Sequence, residues 1–194
     1  MKIILLAAFI FYFTTSLFAQ KHKADYTFIN DSTNEYSSIE AILELQEFRN
    51  KVVFIDLWGI GCKPCMDEMD YVKDLKNEFI NEQIAYLYLC LRTTKNYSNE
   101  MNNAFYQRWK EIVVQKELKG VNVLMSKECY NEGFKLKHLD TYAKIDTSIM
   151  KGYIHFGVPF YLIANKEGKI VNYNAHRPSK GKLLYSQIQS ILEE

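Results

Sequence analysis

The sequence predicts an α/β sandwich built on a mixed sheet, and three observations predict it. Two near-continuous apolar runs of strand length, Lys51–Trp58 and Gln83–Leu91, flank a helical pattern. Runs of that kind are buried on both faces of a sheet, and strand, helix, strand in that order implies a right-handed parallel crossover. A later block reads differently: the apolar stretch "PFYLIA", a turn at Asn165–Gly168 and a return strand with Ile170, Val171 and Tyr173 form an antiparallel hairpin. Amphipathic helices between and after these blocks are available to cover both faces.

The totals agree with one domain of ordinary size. The chain has 194 residues, 48% hydrophobic and 24% charged, which is enough to build a core without staples. A formal net charge of +1 argues against nucleic acid or an anionic membrane surface as partner. Four cysteines are too few for a disulfide-stapled miniprotein.

Taken in order, residues 1–19 read as a signal peptide: Lys2, an apolar stretch from Ile3, and a small residue, Ala19, at the expected cut. The alternative is an uncleaved membrane anchor, for which Ile3–Phe18 is short. Either way the body lies outside the cytoplasm, in the periplasm. Residues 20–36 read as a polar N-terminal extension with one strand-like patch, Tyr26–Asn30. The folded domain is expected over 37–194. It opens with a helix that carries Ile39, Ile42, Leu43, Leu45 and Phe48, capped by Ser37 or Ser38. A single helix is expected from Cys62 to Phe79, with Met69, Val72, Leu75 and Phe79 on one side. Residues 98–119 are helical in pattern, Gly120–Met125 is a short strand, and 127–157 reads as short helices and loops. The last helix bears Leu183, Leu184, Ile188 and Ile191.

The chemistry is concentrated in "WGIGCKPC", Trp58 to Cys65. Cys62 follows a buried strand and begins a helix, where unpaired backbone N–H groups and the helix dipole stabilise an anion. A thiol so placed can have its pKa drawn from ~8.5 to about 3.5–7.5. Pro64 suits the first turn, where its missing N–H costs nothing. Cys65, one turn on, points back toward the first sulfur at a distance a disulfide can close. The pair can then exchange two electrons, Cys62 attacking and Cys65 resolving the mixed disulfide. Two competing readings weaken on inspection. A zinc site would need two further ligands, and Cys90, Cys129 and the four histidines show no such spacing. A purely structural disulfide would close too small a loop to stabilise much.

With the strand "VVFIDLW", the motif "GCKPC" and the later "GVPFYLIANKEGKIV", the chain resembles thioredoxin-fold proteins, and more narrowly the exported thiol–disulfide oxidoreductases of the TlpA/ResA type. The resemblance implies a thioredoxin-like three-layer α/β/α sandwich with a mixed central sheet and an insertion before the cis-proline strand. It implies a Cys62–Cys65 disulfide, with Cys62 exposed and attacking and Cys65 buried and resolving. Pro159 matches a proline held cis opposite the disulfide, and the backbone of Val158 would pair with an extended substrate chain. Trp58 matches the aromatic residue before the motif and is expected to line the substrate site with Val158 and Pro159. Asp56 matches the buried acid of thioredoxin, and Glu68 an acid beside the cysteines of ResA-like proteins; either carboxylate, raised by burial, could take the proton that Cys65 must lose. The alternatives are a strand-end hydrogen bond for Asp56 and a solvated helix charge for Glu68. The chain departs from thioredoxins at Gly61, where they carry an aromatic residue, and in the long stretch from Leu91 to Pro159. Cys90, on an apolar strand, reads as an inert buried thiol; Cys129 is open, with pairing to Cys90 one option.

The function so implied is disulfide exchange with cysteines of other proteins, with no cofactor and no metal. The reducing direction is favoured, as in cytochrome c maturation or disulfide repair, with electrons from a membrane thiol carrier. The rivals are a thiol oxidase or isomerase, and a redox-inactive module that binds extended peptide.

Overall fold

The computed structural model describes residues 25–91, 99–126, 129 and 158–194. Its centre is a six-stranded sheet formed by β1 (Tyr26–Asn30), β2 (Val52–Trp58), β3 (Ile84–Cys90), β4 (Gly120–Leu124), β5 (Phe160–Ala164) and β6 (Ile170–Asn172). The strand order is β1-β4-β3-β2-β5-β6. The first four strands run parallel, β5 is antiparallel to β2, and β6 is antiparallel to β5. The sheet is mixed, as the two apolar runs and the hairpin predict. The segment expected as a separate extension is part of it, because Tyr26–Asn30 pairs along its whole length with β4.

β2 is buried at all seven positions. Its side chains still alternate between faces, as the pleat requires. Val53, Ile55 and Leu57 enter a cluster with Ile39, Ile42, Phe48, Leu87, Leu89, Val123 and Leu162. Val52 and Phe54 enter a cluster on the opposite face with Leu75, Phe79, Tyr161 and Ile188, and Trp58 enters its neighbour with Cys65, Met69, Tyr88 and Trp109. The first face is covered by α1 (Ile39–Leu43) and a 3₁₀ turn at Gln46–Phe48. Four helices cover the second: α2 (Lys63–Met69), α3 (Val72–Glu78), α4 (Asn99–Gln115) and α5 (Lys182–Leu192). This is a three-layer α/β/α arrangement. The stretch 127–157, expected as short helices and loops, lies outside the described residues apart from Cys129, as does the whole of 1–24. Among the described residues no helix is long and apolar enough to cross a membrane.

Three local expectations are corrected. Ser38 caps α1, its hydroxyl accepting from Ala41 N–H at 3.2 Å, but the helix ends at Leu43 because Leu45 turns extended (ψ 144°) and Phe48 reaches the core from the 3₁₀ turn instead. The helix expected from Cys62 to Phe79 is two helices. Tyr71 N–H tightens onto Glu68 C=O at 3.1 Å, and the break lets the two halves pack on different clusters, Cys65, Met69 and Val72 on one and Leu75 and Phe79 on the other. In α5, Leu184, Ile188 and Ile191 face the core while Leu183 is exposed, since adjacent helical residues point about 100° apart.

Gly120, which opens β4, holds φ +134°, and a Cβ there would lie 2.6 Å from the Tyr86 carbonyl oxygen of the adjoining strand. G120A is expected to destabilise the protein by at least about 2 kcal/mol, combining backbone strain with a clash the strand cannot relieve. The check is a lowered urea midpoint at an unchanged m-value.

Candidate active site

The site forms where β2 ends. The chain leaves Trp58, turns with Cys62 N–H donating to Gly59 C=O at 3.0 Å, and enters α2 with Cys62 as its N-cap and Pro64 in the first turn. Cys62 and Cys65 form a disulfide with a Cα–Cα distance of 5.2 Å. The Cys65 backbone N–H points at Cys62 Sγ, 3.1 Å away. On reduction that N–H is placed to stabilise negative charge on Cys62. The two sulfurs differ in access: Cys62 is half-buried, Cys65 only 1% exposed. A Cβ at Gly61 would meet nothing within 4 Å among the described residues.

The hairpin supplies the opposite wall. β5 pairs with β2 from Leu57↔Phe160 to Val53↔Ala164, and this register sets the residues before Phe160 against the disulfide. The Val158–Pro159 peptide bond is cis. Val158 carbonyl oxygen lies 3.5 Å from Cys62 Sγ. In the disulfide that sulfur has no proton to donate, so this is a van der Waals contact; in the reduced protein a Cys62 thiol could donate there. Trp58, expected next to a substrate, is instead fully buried among Cys65, Met69 and Trp109, where it supports the motif from beneath.

The two carboxylates receive opposite treatment. Asp56 is 1% exposed, faces the α2 side of the sheet by the β2 alternation, and its Oδ1 has no hydrogen-bond partner among the described residues. Its strand neighbours are Tyr88 on β3 and Tyr161 on β5, both with hydroxyls that lack a partner among the described residues. Burial, aided by the charge of Glu68, pushes the Asp56 carboxyl up to about 8. Burial likewise drives the phenols of Tyr88 and Tyr161 upward, so they stay neutral. Glu68 is no solvated helix charge: it is 9% exposed. Its Oε2 accepts from Ser179 N–H at 3.0 Å and its Oε1 from Ser179 Oγ–H at 2.8 Å, with Arg177 Nη1 3.9 Å away. Ser179 and Arg177 belong to the 3₁₀ turn Pro178–Lys180 and its N-cap. Neither was legible in the sequence, because "RPSK" lies 111 residues from Glu68 and carries no motif.

Cys90 and Cys129 do not pair. Both are buried thiols, but Cys90 packs on the α2 face and Cys129 on the α1 face. No group of three or more His, Cys, Asp or Glu residues that could hold a metal occurs among the described residues.

A mixed sheet with helices on both faces, a cis-proline at the start of an antiparallel strand and a C-x-x-C disulfide at the adjoining strand–helix junction define a thioredoxin-fold protein. No family model matches the chain. It is similar to the thiol-disulfide oxidoreductase ResA of Bacillus thuringiensis subsp. konkukian, 48% identical over 33 residues, 17% of this chain and 19% of that one. A ResA of Bacillus thuringiensis strain Al Hakam is 31% identical over 67 residues, 32% of this chain and 39% of the relative. The chain thus aligns with less than half the length of these curated relatives. Among solved structures, the C-terminal domain of a candidate thiol-disulfide oxidoreductase from Bacteroides thetaiotaomicron superposes with a TM-score of 0.50 at 16% identity, covering 78% of this chain and 83% of that one, and shares the fold. The chain is a thioredoxin-fold protein similar to the ResA-type oxidoreductases.

The raised Asp56 carboxyl has a cost in stability. The folded state keeps the proton up to about pH 8, whereas the unfolded chain releases it near 3.8. Stability from this group is therefore complete below about pH 4 and drains as pH rises through 8. In D56N that dependence should vanish, leaving the variant the more stable protein at pH 8.5 by several kcal/mol, on the order of the shift converted at 1.36 kcal/mol per pH unit. Urea midpoints of both proteins at pH 5 and pH 8.5 check this.

Proposed function

We propose that the protein is a thiol–disulfide oxidoreductase that exchanges disulfides with cysteines of other proteins, working outside the cytoplasm and in the reducing direction. The observation that carries the reading is the asymmetry of the disulfide: its outer sulfur is half-buried and faced by a backbone carbonyl, and its inner sulfur is sealed on the sheet face that also carries a buried acid. The basic-then-apolar start of the chain supports the location.

In the reducing half-reaction Cys62 thiolate attacks a substrate disulfide. One substrate sulfur leaves as thiolate, and Cys62 is joined to the other in a mixed disulfide. Cys65 then loses its proton, which Asp56 takes up in those molecules where its carboxyl is ionised, and attacks Cys62 Sγ. The second substrate sulfur departs, and the Cys62–Cys65 bond closes. The substrate has gained two electrons and takes two protons; the protein has lost two electrons. An external dithiol, for which we propose a membrane thiol carrier, must return them. In the oxidised protein Asp56 is mostly protonated at neutral pH. It is therefore poised to supply the proton when Cys65 becomes the leaving group. The substrate chain would lie extended against Val158, whose backbone is at the rim beside Cys62.

Insulin reduction with dithiothreitol as electron source tests the reading. The wild type should accelerate precipitation of the B chain, C62S should fall to background, and C65S should accumulate as a mixed disulfide that a second change, C62S, abolishes. No acceleration by the wild type, together with ordinary slow alkylation of Cys62, sinks the proposal.

A further inference from the structure

We propose that Gly61 determines substrate preference: by carrying no side chain it leaves a notch beside Cys62, and the notch takes a large apolar side chain two residues from the reacting cysteine of the substrate. The proposal deepens the oxidoreductase reading and rests on it.

The folded chain does not itself require glycine at this position. Elsewhere a positive φ demands it, as at Gly120 (+134°), Gly168 (+77°) and Gly181 (+46°). Gly59 and Gly61 are not among the glycines of positive φ, so their backbone suits an ordinary side chain. Space does not demand glycine either. A Cβ at Gly61 meets no described atom within 4 Å, whereas one at Gly120 would run into the Tyr86 carbonyl oxygen. Gly61 is exposed and directly precedes Cys62. A glycine that neither backbone nor packing requires lowers stability, because it widens the unfolded ensemble. What it gives in return is close approach by a second chain.

The walls of the notch are apolar. Ile60, Met66 and Val158 are half-buried and pack against the same cluster as Cys62. Each adjoins Cys62: Ile60 stands two residues before it, Met66 N–H donates to its carbonyl at 3.2 Å, and the Val158 carbonyl oxygen lies 3.5 Å from its Sγ. Lys63, the residue after Cys62, spends its ammonium on Asp67 at 2.8 Å on the exposed side of α2. A substrate held extended against Val158 alternates its side chains between two faces. The residues adjacent to its cysteine therefore point away from Cys62, and the residues two positions off point the same way as the cysteine, roughly 6.6 Å along. One of these fills the space that a side chain on residue 61 would occupy, and apolar surface on both sides leaves water.

The test uses the full chain, reduced, and three short peptides whose central cysteine is held in a disulfide with thionitrobenzoate: Ala-Gly-Cys-Gly-Ala, Phe-Gly-Cys-Gly-Phe and Gly-Phe-Cys-Phe-Gly. The Cys62 thiolate attacks the peptide sulfur, the S–S bond breaks, and thionitrobenzoate leaves as its coloured thiolate. Each rate constant is divided by that of dithiothreitol with the same peptide, which removes the peptide's own reactivity. The peptide with phenylalanine two residues from cysteine should exceed the alanine peptide about tenfold, the scale on which an apolar pocket tells side chains apart. The peptide with adjacent phenylalanines should not exceed it. In G61F the tenfold ratio should fall to about one, and in G61A it should fall part of the way. The readout is a ratio, so a general loss of activity does not move it, and urea midpoints establish that the variants are folded. A wild-type ratio near one, with thionitrobenzoate released from every peptide, overturns the notch and leaves the oxidoreductase reading standing. An equal gain from adjacent phenylalanines overturns it as well. A ratio undiminished in folded G61F, or in G61A should G61F not fold, overturns the role of Gly61. Release from none of the peptides by the wild type overturns the oxidoreductase reading and this proposal with it.

Discussion

The pairing of β2 with β5 is the constraint on which the site depends. β2 lies inside the sheet, hydrogen-bonded on one side to β3 and on the other to β5. Because β5 runs antiparallel, its start lies beside the end of β2. The last residue of β2 launches the turn that carries Cys62, and the residues just before β5 carry the cis-proline and the Val158 carbonyl. A slip by one residue would exchange the faces of a whole strand, which the two apolar clusters packed against β2 forbid. The disulfide and its opposing wall, 96 residues apart in sequence, are therefore held by backbone register rather than by any bond between them.

The same strand explains why an acid is tolerated at its centre. β2 is flanked on both edges and covered on both faces, so no side chain on it reaches water. A carboxyl there avoids the penalty of a buried charge by keeping its proton. Neutral Tyr88 and Tyr161 on either side add bulk without countercharge. Burial thus does two things at once: it seals Cys65 from solvent and sets a protonated acid on the same face. Neither would follow from a site on an exposed loop.

Much of this was legible in the sequence, and the reasons are specific. β2 and β3 are continuous apolar runs, so their burial could be read directly. The spacing of Cys62, Pro64 and Cys65 at a strand–helix junction fixed the local geometry of the disulfide. Asp56 stood out as a lone acid in an apolar strand. What escaped was whatever depends on contacts distant in sequence. The break at Asp70–Tyr71 is invisible to periodicity, since Met69, Val72, Leu75 and Phe79 keep a helical spacing through it. Trp58 was expected to line the substrate site, yet it is the last side chain of a buried strand and packs beneath the motif. The pairing of β1 with β4 had no signal, because a five-residue polar-flanked patch does not name its partner.

Glu68 shows the limit most clearly. Its place one turn beyond Cys65 made a role near the sulfurs plausible and a solvated charge equally so. The helix alone does not decide between them. The decision comes from a turn just before α5, whose serine offers two donors in the geometry of a carboxylate. Once those bonds exist, Glu68 can be nearly buried, because its oxygens have recovered in the protein the partners they lost in water. Asp56 on the same sheet face has no such turn against it: among the described residues its Oδ1 lacks a partner, and burial, aided by Glu68, pushes its carboxyl up. The difference between the two acids therefore lies in their hydrogen bonding, which is set by a turn far from both in sequence.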